Sequence, residues 1–390
     1  MAIVYISYDG VLEPLGSSQV LNYLKGIASK DQHIFLLSYE KASDLAKKDK
    51  VSKLQNMLSK KDITWKFLKY HKEPAILASL FDLLLGFFQI IPILLLKKIK
   101  IIHIRGYMPM ILGLIAKKVS NGKLIFDTRG FWPDEKADRS NWKRSSRKYK
   151  FFKYFEKLCL SQADKVICLT FEAKDIYKKM TKSSDDERFE IIRTCTDTNK
   201  FKVNDSVNER SNIINFGYLG SIDTAYDVRK VLIFFDAFIK RREANLHIFT
   251  NGSKKKLNSL IENYGLPSQQ IYIKNVEFED VSSALDSIDI GIFFLKLNFS
   301  IKASMPTKIG EFFSKGVPIV CNRFNHDIEE IVNDKNGYLL NFESIKLIDL
   351  VKIENLIHLS KSEIHEYAKN YFSLKKGIDQ YKRIYNELSI

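Results

Sequence analysis

The chain has 390 residues, a length that suits two or three domains rather than one core. Its 45% apolar and 28% charged residues are globular values, which exclude a disordered or collagen-like chain, and four cysteines exclude a disulfide scaffold. Lysine and arginine total 62 against 46 aspartate and glutamate, a formal net charge of +16. That excess predicts an anionic partner: nucleic acid, a phosphate-bearing ligand or an anionic membrane.

Short apolar runs alternate with amphipathic stretches along the whole chain. Strands are expected in the first half at 3–8, 33–39, 63–69, 99–105, 123–128, 165–169 and 189–193. Helices are expected between them, near 18–29, 42–60, 74–97, 107–119, 146–162 and 172–181. The pattern restarts with strands near 213–219, 245–250, 271–275, 288–294, 317–321 and 337–340. Such alternation predicts an α/β fold of two Rossmann-like, doubly wound parallel-sheet domains.

The domain boundaries follow from this restart. We expect an N-terminal domain over residues 1–198 and a C-terminal domain over 212–371, separated by the polar stretch 199–212. The end of the chain reads as one or two helices. An apolar face is expected there to carry Tyr371, Tyr381 and Tyr385.

Residues 74–96 are almost wholly apolar and long enough to span a bilayer. They lead directly into the strand at 99–105, so a spanning helix would divide the predicted sheet. Two interpretations remain: a buried core helix, or a helix in the lipid interface with Lys97, Lys98 and Lys100 facing anionic headgroups. The chain opens on a strand-like run with no secretory leader, which predicts a cytoplasmic protein with reduced, buried cysteines.

Ligands of open parallel sheets bind outside the carboxyl ends of the strands, where several unusual residues fall. Gly16 and Ser17 lie in a turn before the first helix, which Ser17 is placed to cap at an anion, although an ordinary turn explains them equally well. Arg105 and Arg129 each follow a strand and precede a glycine, and their guanidinium groups suit phosphates or carboxylates. Gly220 ends the first strand of the second half and permits close approach of a ligand.

The cluster at residues 302–320 is the most specific. Pro306 suits the first turn of a helix, with Ser304 as its cap. Amides near Thr307 and the ammonium of Lys308 would then meet a diphosphate. Glu311, one turn later on the same face, is placed to accept hydrogen bonds from sugar hydroxyls. The alternative interpretation is a basic amphipathic helix.

These motifs together resemble the bacterial glycosyltransferases of family 4, which have the two-domain GT-B fold with a central cleft. The resemblance is to the subgroup with a Ser-x-Pro-Thr-Lys motif, and it covers nearly the whole chain. It is carried by residues 8–20, 127–135, 217–221, 304–311, 316–318 and 381–385. It implies retaining transfer of a sugar from a nucleotide-diphosphate sugar. It also implies a donor in the C-terminal half, an acceptor in the N-terminal half, and a last helix, 372–390, packed on the first domain.

The resemblance also implies roles for individual residues. Those expected to act in catalysis are Arg129, Lys308 and Glu311. Those expected to bind the donor and its diphosphate are Gly16, Ser17, Gly220, Ser221, Ser304, Pro306, Thr307, Lys308 and Glu311. Those expected to bind the acceptor are Asp9, Glu13, Arg105, Asp134 and Glu135. No metal or other cofactor is expected. The implied acceptor is a polysaccharide, lipopolysaccharide or lipid-linked glycan at the inner face of the cell membrane.

Two positions depart from the family pattern. Ala303 stands where the first glutamate of a pair is usual, and Ser221 to Asp227 replace a usual basic pair, with only Arg229 and Lys230 nearby. These departures leave a catalytically silent subunit as one alternative. A sugar-nucleotide epimerase of the same fold is another, although the sequence offers no histidine or carboxylate pair that suits acid–base chemistry on the donor sugar. Nucleic-acid binding is disfavoured, because the lysines are scattered and no recognised module is present.

Overall fold

The computed structural model of the chain describes residues 1–139, 141–204, 212–222 and 224–389. The chain divides into two compact units. Unit 1 comprises Met1–Arg193 and Leu374–Ile390, and unit 2 comprises Thr194–Ser373. Residues 205–211 of the expected linker, and Asp223 of the second-half glycine turn, lie outside the described residues.

Unit 1 is built on a parallel sheet of seven strands in the order β3-β2-β1-β4-β5-β6-β7. The strands are β1 Ala2–Ser7, β2 His33–Glu40, β3 Ile63–Lys69, β4 Ile99–Arg105, β5 Lys123–Asp127, β6 Lys165–Cys168 and β7 Phe189–Ile191. The central strands are runs of apolar, often β-branched residues because both faces of the sheet are covered. Strand order reverses between β1 and β4, which places a ligand crevice at their carboxyl ends.

Helices connect these strands. They are α1 Pro14–Gly16, α2 Asn22–Ile27, α3 Ala42–Leu45, α4 Lys48–Ser59, α5 Ala75–Leu96, α6 Met110–Ser120, α7 Trp132–Asp138, α8 Arg147–Gln162 and α9 Phe171–Thr181. A π-helical turn, Ser17–Leu21, joins α1 to α2. The first helical segment therefore begins at Pro14 rather than near residue 18. The helix expected over 42–60 is divided into α3 and α4.

Unit 2 is built on a parallel sheet of six strands in the order β10-β9-β8-β11-β12-β13. The strands are β8 Ile214–Leu219, β9 Ala244–Phe249, β10 Ile271–Lys274, β11 Ile290–Ile292, β12 Ile319–Cys321 and β13 Gly337–Leu339. The helices are α10 Val228–Ile239, α11 Lys254–Asn263, α12 Val281–Ala284, α13 Thr307–Ser314, α14 His326–Ile331, α15 Leu347–Asn355 and α16 Lys361–Phe372. Strand order again reverses at the first strand, between β8 and β11, so unit 2 has its own crevice.

The last helix, α17 Leu374–Ser389, belongs to unit 1 and packs against α2 and β4. Tyr381, Ile384 and Tyr385 lie three and four residues apart and form its buried face. Tyr371, in the last turn of α16, is 49% exposed, so its placement on the same apolar face was wrong. The predicted fold class, two doubly wound parallel-sheet α/β domains, is confirmed.

Candidate active site

The register of unit 1 brings three polar residues side by side. Ser7 pairs with Arg105, and Arg105 pairs with Asp127, across three adjacent strands at their carboxyl ends. An Arg105 nitrogen donates to Asp127 Oδ2 at 3.2 Å, and an Arg129 nitrogen lies 3.6 Å from Oδ1. Two guanidinium groups therefore share one buried carboxylate. Asp9, an exposed residue 3.9 Å from Arg105, lies at the rim of this cluster.

Helix α17 completes the cluster with two hydroxyl groups. Tyr381 donates to Asp127 Oδ2 at 3.2 Å, and the Tyr385 hydroxyl lies 2.6 Å from His103 Nδ1. Burial lowers the pKa of His103 to about 4, so its imidazole is neutral near pH 7. Sequence reasoning missed His103 as a polar member of the site. The available signal was a lone histidine in an otherwise apolar strand.

The Arg129–Gly130 segment has an unusual backbone. Both residues have positive φ, 59° and 145°, and the first is not glycine. The Gly130 carbonyl accepts hydrogen bonds from Tyr107 at 2.7 Å and Tyr177 at 2.9 Å. A buried Glu156 oxygen also lies 2.7 Å from the Tyr107 hydroxyl, within hydrogen-bond distance. A residue strained in this way costs about 1–3 kcal/mol of stability. The hydrogen bonds hold the backbone in this conformation and so fix the position from which the Arg129 side chain extends.

The two acidic residues expected at the acceptor have different surroundings. Asp134 is buried, and its oxygens accept from Tyr149 at 2.7 Å and Lys153 at 2.8 Å, so its carboxylate is held inside unit 1. Glu135 Oε1 lies 2.6 Å from the position a Cβ would take on Gly130. Burial raises the pKa of the Glu135 carboxyl above its ordinary range. Glu135 is thus the better placed of the two to meet a ligand at the strand ends.

The turn after β1 is shaped by packing. A Cβ on Gly16 would lie 1.9 Å from the Gly10 carbonyl oxygen, which is why this position needs glycine. The Ser17 amide donates to the Glu13 carbonyl at 2.8 Å within the helical segment, so the prediction that Ser17 caps the first helix was wrong. The Glu13 carboxylate pairs with Lys41 at 2.6 Å.

Sequence reasoning also missed Glu40, a fully buried carboxylate at the end of β2. Its oxygens accept from the amides of Val11 at 2.8 Å and Leu12 at 3.1 Å. Glu40 therefore fixes the turn that carries Asp9, Glu13 and Gly16.

In unit 2, Lys308 occupies an unusual site for an ammonium group. It is 3% exposed, and Nζ has no hydrogen-bond acceptor among the described residues. Nζ lies 3.4 Å from the ring centroid of Tyr226, 4.9 Å from that of Tyr218 and 5.2 Å from that of Phe293. Burial lowers its pKa to about 7. The aromatic faces stabilise the cation only in part, so a bound anion would supply the hydrogen-bond acceptor that this ammonium lacks.

Gly220 explains how Lys308 reaches this position. Its φ is +130°, and a Cβ there would lie 2.8 Å from Lys308 Nζ. The same turn is held by the Tyr218 hydroxyl, which donates to the Ser221 carbonyl at 2.6 Å. The end of β8 and the first turn of α13 therefore converge at Lys308.

Helix α13 begins at Thr307, with Pro306 as the residue before its first turn. Ser304 does not cap it, so that prediction was wrong. The Ser304 carbonyl instead accepts from Asn325 at 2.8 Å, and Thr194 donates to the Met305 carbonyl at 2.8 Å. The loop before α13 is thereby fixed with the first amides of the helix at its open end.

Glu311 lies one turn after Thr307 on α13 and is 8% exposed. Burial raises the pKa of its carboxyl to about 7, against the opposing effect of the Lys308 ammonium. Glu311 and Lys308 thus form a buried acid–base pair whose charges are sensitive to any ligand that enters. An acceptor of ligand hydroxyl groups and a donor to ligand oxygens stand within one helical turn.

The two departures from the family pattern have clear structural counterparts. Ala303 is buried in a short 3-10 helix, Phe299–Ala303, that precedes the site. Arg229 pairs with Asp227 at 3.5 Å, and Lys230 lies over the Phe342 ring, so neither accompanies Lys308. Among the residues that the structure describes, no group of three or more His, Cys, Asp or Glu side chains is arranged to hold a metal ion.

Each of the two units has a parallel sheet whose strand order reverses at its first strand, and this architecture is that of the GT-B fold. Comparisons with known proteins identify the family. Residues 25–200 match the family model of Glycosyltransferase Family 4, and residues 214–351 match that of Glycosyl transferases group 1. These matches cover much of both units, and the chain belongs to this family of glycosyltransferases. A search of curated protein sequences gives no significant match.

Solved structures with the same fold extend over nearly the whole chain. A glycosyltransferase from Rickettsia africae is 16% identical, with a TM-score of 0.70 over 99% of this chain and 98% of that one. HepE of Anabaena in complex with UDP and glucose is 12% identical, with a TM-score of 0.69 over 99% and 100%. The lipopolysaccharide outer core galactosyltransferase WaaB is 12% identical, with a TM-score of 0.66 over 99% and 100%. These likenesses show the fold.

Proposed function

We propose that this chain transfers a sugar from a nucleoside-diphosphate sugar to a hydroxyl group of a polysaccharide, lipopolysaccharide or lipid-linked glycan, with retention of configuration. The observation that carries the proposal is Lys308, a buried ammonium without a hydrogen-bond acceptor among the described residues. Its low pKa shows that burial opposes the charged form. A site that holds a cation at such a cost suits a ligand that brings negative charge.

The donor is proposed to bind in unit 2. Its diphosphate would meet Lys308 and the first amides of α13 near Thr307, where the helix dipole also favours negative charge. Gly220 would let the phosphates approach the backbone at the end of β8. Glu311 would accept hydrogen bonds from the ribose hydroxyls. The complex of HepE with UDP and glucose supports a donor of this kind.

Catalysis would come from stabilising the charge that develops on the departing diphosphate. The negative charge of the diphosphate would raise the pKa of Lys308 and favour its ammonium form, which offsets the effect of burial. We propose that Lys308 and the α13 amides do this without a metal ion. Nucleotide binding is then expected to persist in EDTA, and its loss would contradict this assignment.

The acceptor is proposed to bind at the carboxyl ends of the unit 1 strands. Arg129 would face the reacting sugar, with Asp127 and Arg105 fixing its guanidinium group. Glu135 and Asp9 would accept hydrogen bonds from acceptor hydroxyls. No enzyme-bound glycosyl intermediate is proposed.

A membrane site for the acceptor is supported by the surface of α5. Residues Leu77–Leu96 are long and apolar enough to cross a membrane, yet only 28% of this segment is buried. Its exposed apolar side chains are Leu77, Leu80, Phe81, Leu84, Phe88, Leu95 and Leu96. Lys97 and Lys98 follow and are exposed. We propose that this stripe lies in the interface of an anionic membrane, at its cytoplasmic face.

Helix α8 supports the same surface. It presents exposed Phe151 and Tyr154 together with exposed Lys148 and Lys150. Helices α5 and α6 pack together, as do α6 and α8, so they belong to one layer of unit 1. This arrangement gives the lysines of this surface a role, namely contact with anionic lipid headgroups. Co-sedimentation with liposomes is expected to rise with anionic lipid and fall with salt, and indifference to both would contradict the membrane proposal.

The donor proposal is tested by thermal unfolding with UDP-, GDP-, ADP- and CMP-sugars. A ligand that binds only the folded chain raises its melting temperature, so one nucleotide is expected to stabilise the protein above the others. The stabilisation should be lost in Lys308→Met. No stabilisation by any nucleotide would contradict the proposal and favour a catalytically silent subunit, a reading suggested by Ala303.

A further inference from the structure

A second polar cluster lies in unit 1, apart from the Arg105–Asp127 group. Asp82 is the buried acidic residue of α5, and its side chain is 0% exposed. Asp82 Oδ1 lies 2.6 Å from His71 Nδ1. Asp82 Oδ2 accepts from the His71 amide and from the Tyr8 hydroxyl, each at 3.1 Å. The glycosyltransferase mechanism above makes no use of this cluster.

The hydrogen bonds define the state of the histidine. Three groups converge on the two side-chain oxygens of Asp82: the His71 ring nitrogen, the His71 amide and the Tyr8 hydroxyl. A carboxylate only accepts, so Nδ1 of His71 carries a proton and Nε2 stands on the opposite side of the ring. The His71 side chain is 31% exposed. Asp82 therefore orients a histidine whose ring is partly exposed.

The position of this pair matches that of a ligand site. His71 follows β3 by two residues and Tyr8 directly follows β1, so both lie at the carboxyl edge of the sheet. The His71 ring also packs edge-on against Phe81, with ring centroids 5.2 Å apart. Phe81 is part of the exposed apolar stripe of α5. A polar group at the sheet edge thus adjoins one end of an apolar surface.

That combination fits one class of ligand. An amphiphile with a polar head and a long hydrocarbon chain would satisfy both parts, with its head at His71 and its chain along the stripe. Lys69 and Lys72, exposed and on either side of His71 in sequence, favour an anionic head. A phosphate accepts hydrogen bonds from a ring N–H and from lysine, and a P–OH group can donate to a ring nitrogen without a proton, so a phosphate suits this set of groups.

We propose that His71, oriented by Asp82, binds the phosphate at the head of a lipid-linked acceptor, whose glycan carries the receiving hydroxyl group and whose hydrocarbon chain lies along the exposed face of α5. The inference rests on the proposed transfer to a membrane-borne acceptor and names the residue that would receive its head. His71 is an acceptor-binding residue, and Asp82 is a positioning residue.

The test compares vesicles of phosphatidylcholine that contain either a long-chain alkyl monophosphate or phosphatidylglycerol, matched in total negative charge. The wild-type chain is expected to bind the monophosphate vesicles about tenfold more tightly, the effect of one charge-assisted hydrogen bond. In His71→Asn the side-chain amide keeps a donor for Asp82 but has no atom at Nε2. This variant is expected to remain folded and to lose the preference.

His33→Ala is the matched control, since His33 bonds Thr64 at 2.9 Å where β2 begins, at the opposite edge of the sheet. It should keep the preference. A wild-type chain that does not discriminate, or a His71→Asn variant that still does, would overturn the proposal. If inorganic phosphate removed the preference at a concentration equal to that of the alkyl monophosphate, the site would be one for free phosphate and the lipid assignment would be overturned. Thermal unfolding with nucleotide sugars is measured separately, so failure of the donor proposal is recognised independently.

Discussion

Replacement of Lys308 by methionine is expected to stabilise the free protein while removing its affinity for the donor. Methionine has a similar length and no charge, so it fills the space between Tyr226 and Tyr218 without a buried ammonium. A pKa lowered from 10.5 to about 7 is a preference for the neutral amine of up to about 5 kcal/mol. Lost cation–π contacts and the loss of the ammonium that favours the Glu311 carboxylate offset part of the gain, which leaves about 1–3 kcal/mol.

The gain has a defined pH dependence. Because the folded-state pKa of Lys308 lies below the unfolded one, the penalty is fully present below about pH 7. It declines as pH rises and vanishes near the unfolded pKa of 10.5. Urea unfolding of Lys308→Met and wild type at pH 6.5 and pH 9.5 is therefore expected to show the larger difference at the lower pH.

Lys315, the residue that follows α13, provides the control. Its side chain is also buried, but Nζ lies 2.5 Å from Asp286 Oδ1 at the end of α13. Lys315→Met is expected to destabilise the chain by about 1–3 kcal/mol because it leaves Asp286 without its partner. If Lys308→Met destabilised the protein as Lys315→Met does, the reasoning that Lys308 is held at a cost would be refuted.

Three further outcomes are expected. Gly220→Ala should lose nucleotide binding and about 1–3 kcal/mol of stability. Gly265, with φ +62° and open space around it, is the control: Gly265→Ala should lose about 1 kcal/mol of stability and keep nucleotide binding. Equal nucleotide binding by the two variants would contradict the role of Gly220. Glu156→Gln should lower urea stability by about 2–4 kcal/mol, since it removes the carboxylate beside Lys153 and Tyr107, and an unchanged midpoint would count against that network. Phe88→Glu should weaken binding to anionic vesicles at least about tenfold, and Leu347→Glu, equally exposed but in unit 2, should not.

The sheets of both units were predictable because parallel strands are continuous apolar runs, buried on both faces, that stand out between polar segments. The strand at 63–69 is observed as Ile63–Lys69 and that at 99–105 as Ile99–Arg105. The helix at 74–97 is observed as Ala75–Leu96. The secondary structure of a continuous apolar segment can be predicted from sequence, because its length and composition favour one type of element.

Helix starts were less predictable, because the residue that begins a helix depends on local backbone contacts rather than composition. Ser17 and Ser304 have the side chains of capping residues. Ser17, however, lies inside the helical segment that begins at Pro14, and Ser304 lies before α13 without capping it. Pro14 and Pro306, at the starts of α1 and α13, were the better guides.

The partners of the site residues were not predictable, because they come from distant parts of the chain. Lys308 and Gly220 were expected in the donor site, but the ring of Tyr226 beside the ammonium was not. Asp82 was visible only as a polar interruption of an apolar helix, since its partner His71 is defined by the fold. Spacing places a residue on an element, whereas packing decides what that residue meets.

Lys308 is proposed to stabilise the departing diphosphate when this chain cleaves a nucleotide sugar. The most direct test follows release of nucleoside diphosphate from the donor that stabilises the chain, with the configuration of the released sugar read by NMR. Wild type is expected to release diphosphate and a sugar that first carries the configuration of the donor, and Lys308→Met to be at least about 100-fold slower. Undiminished release by Lys308→Met would contradict the proposed role of Lys308, and a sugar released with inverted configuration would contradict the proposed retention.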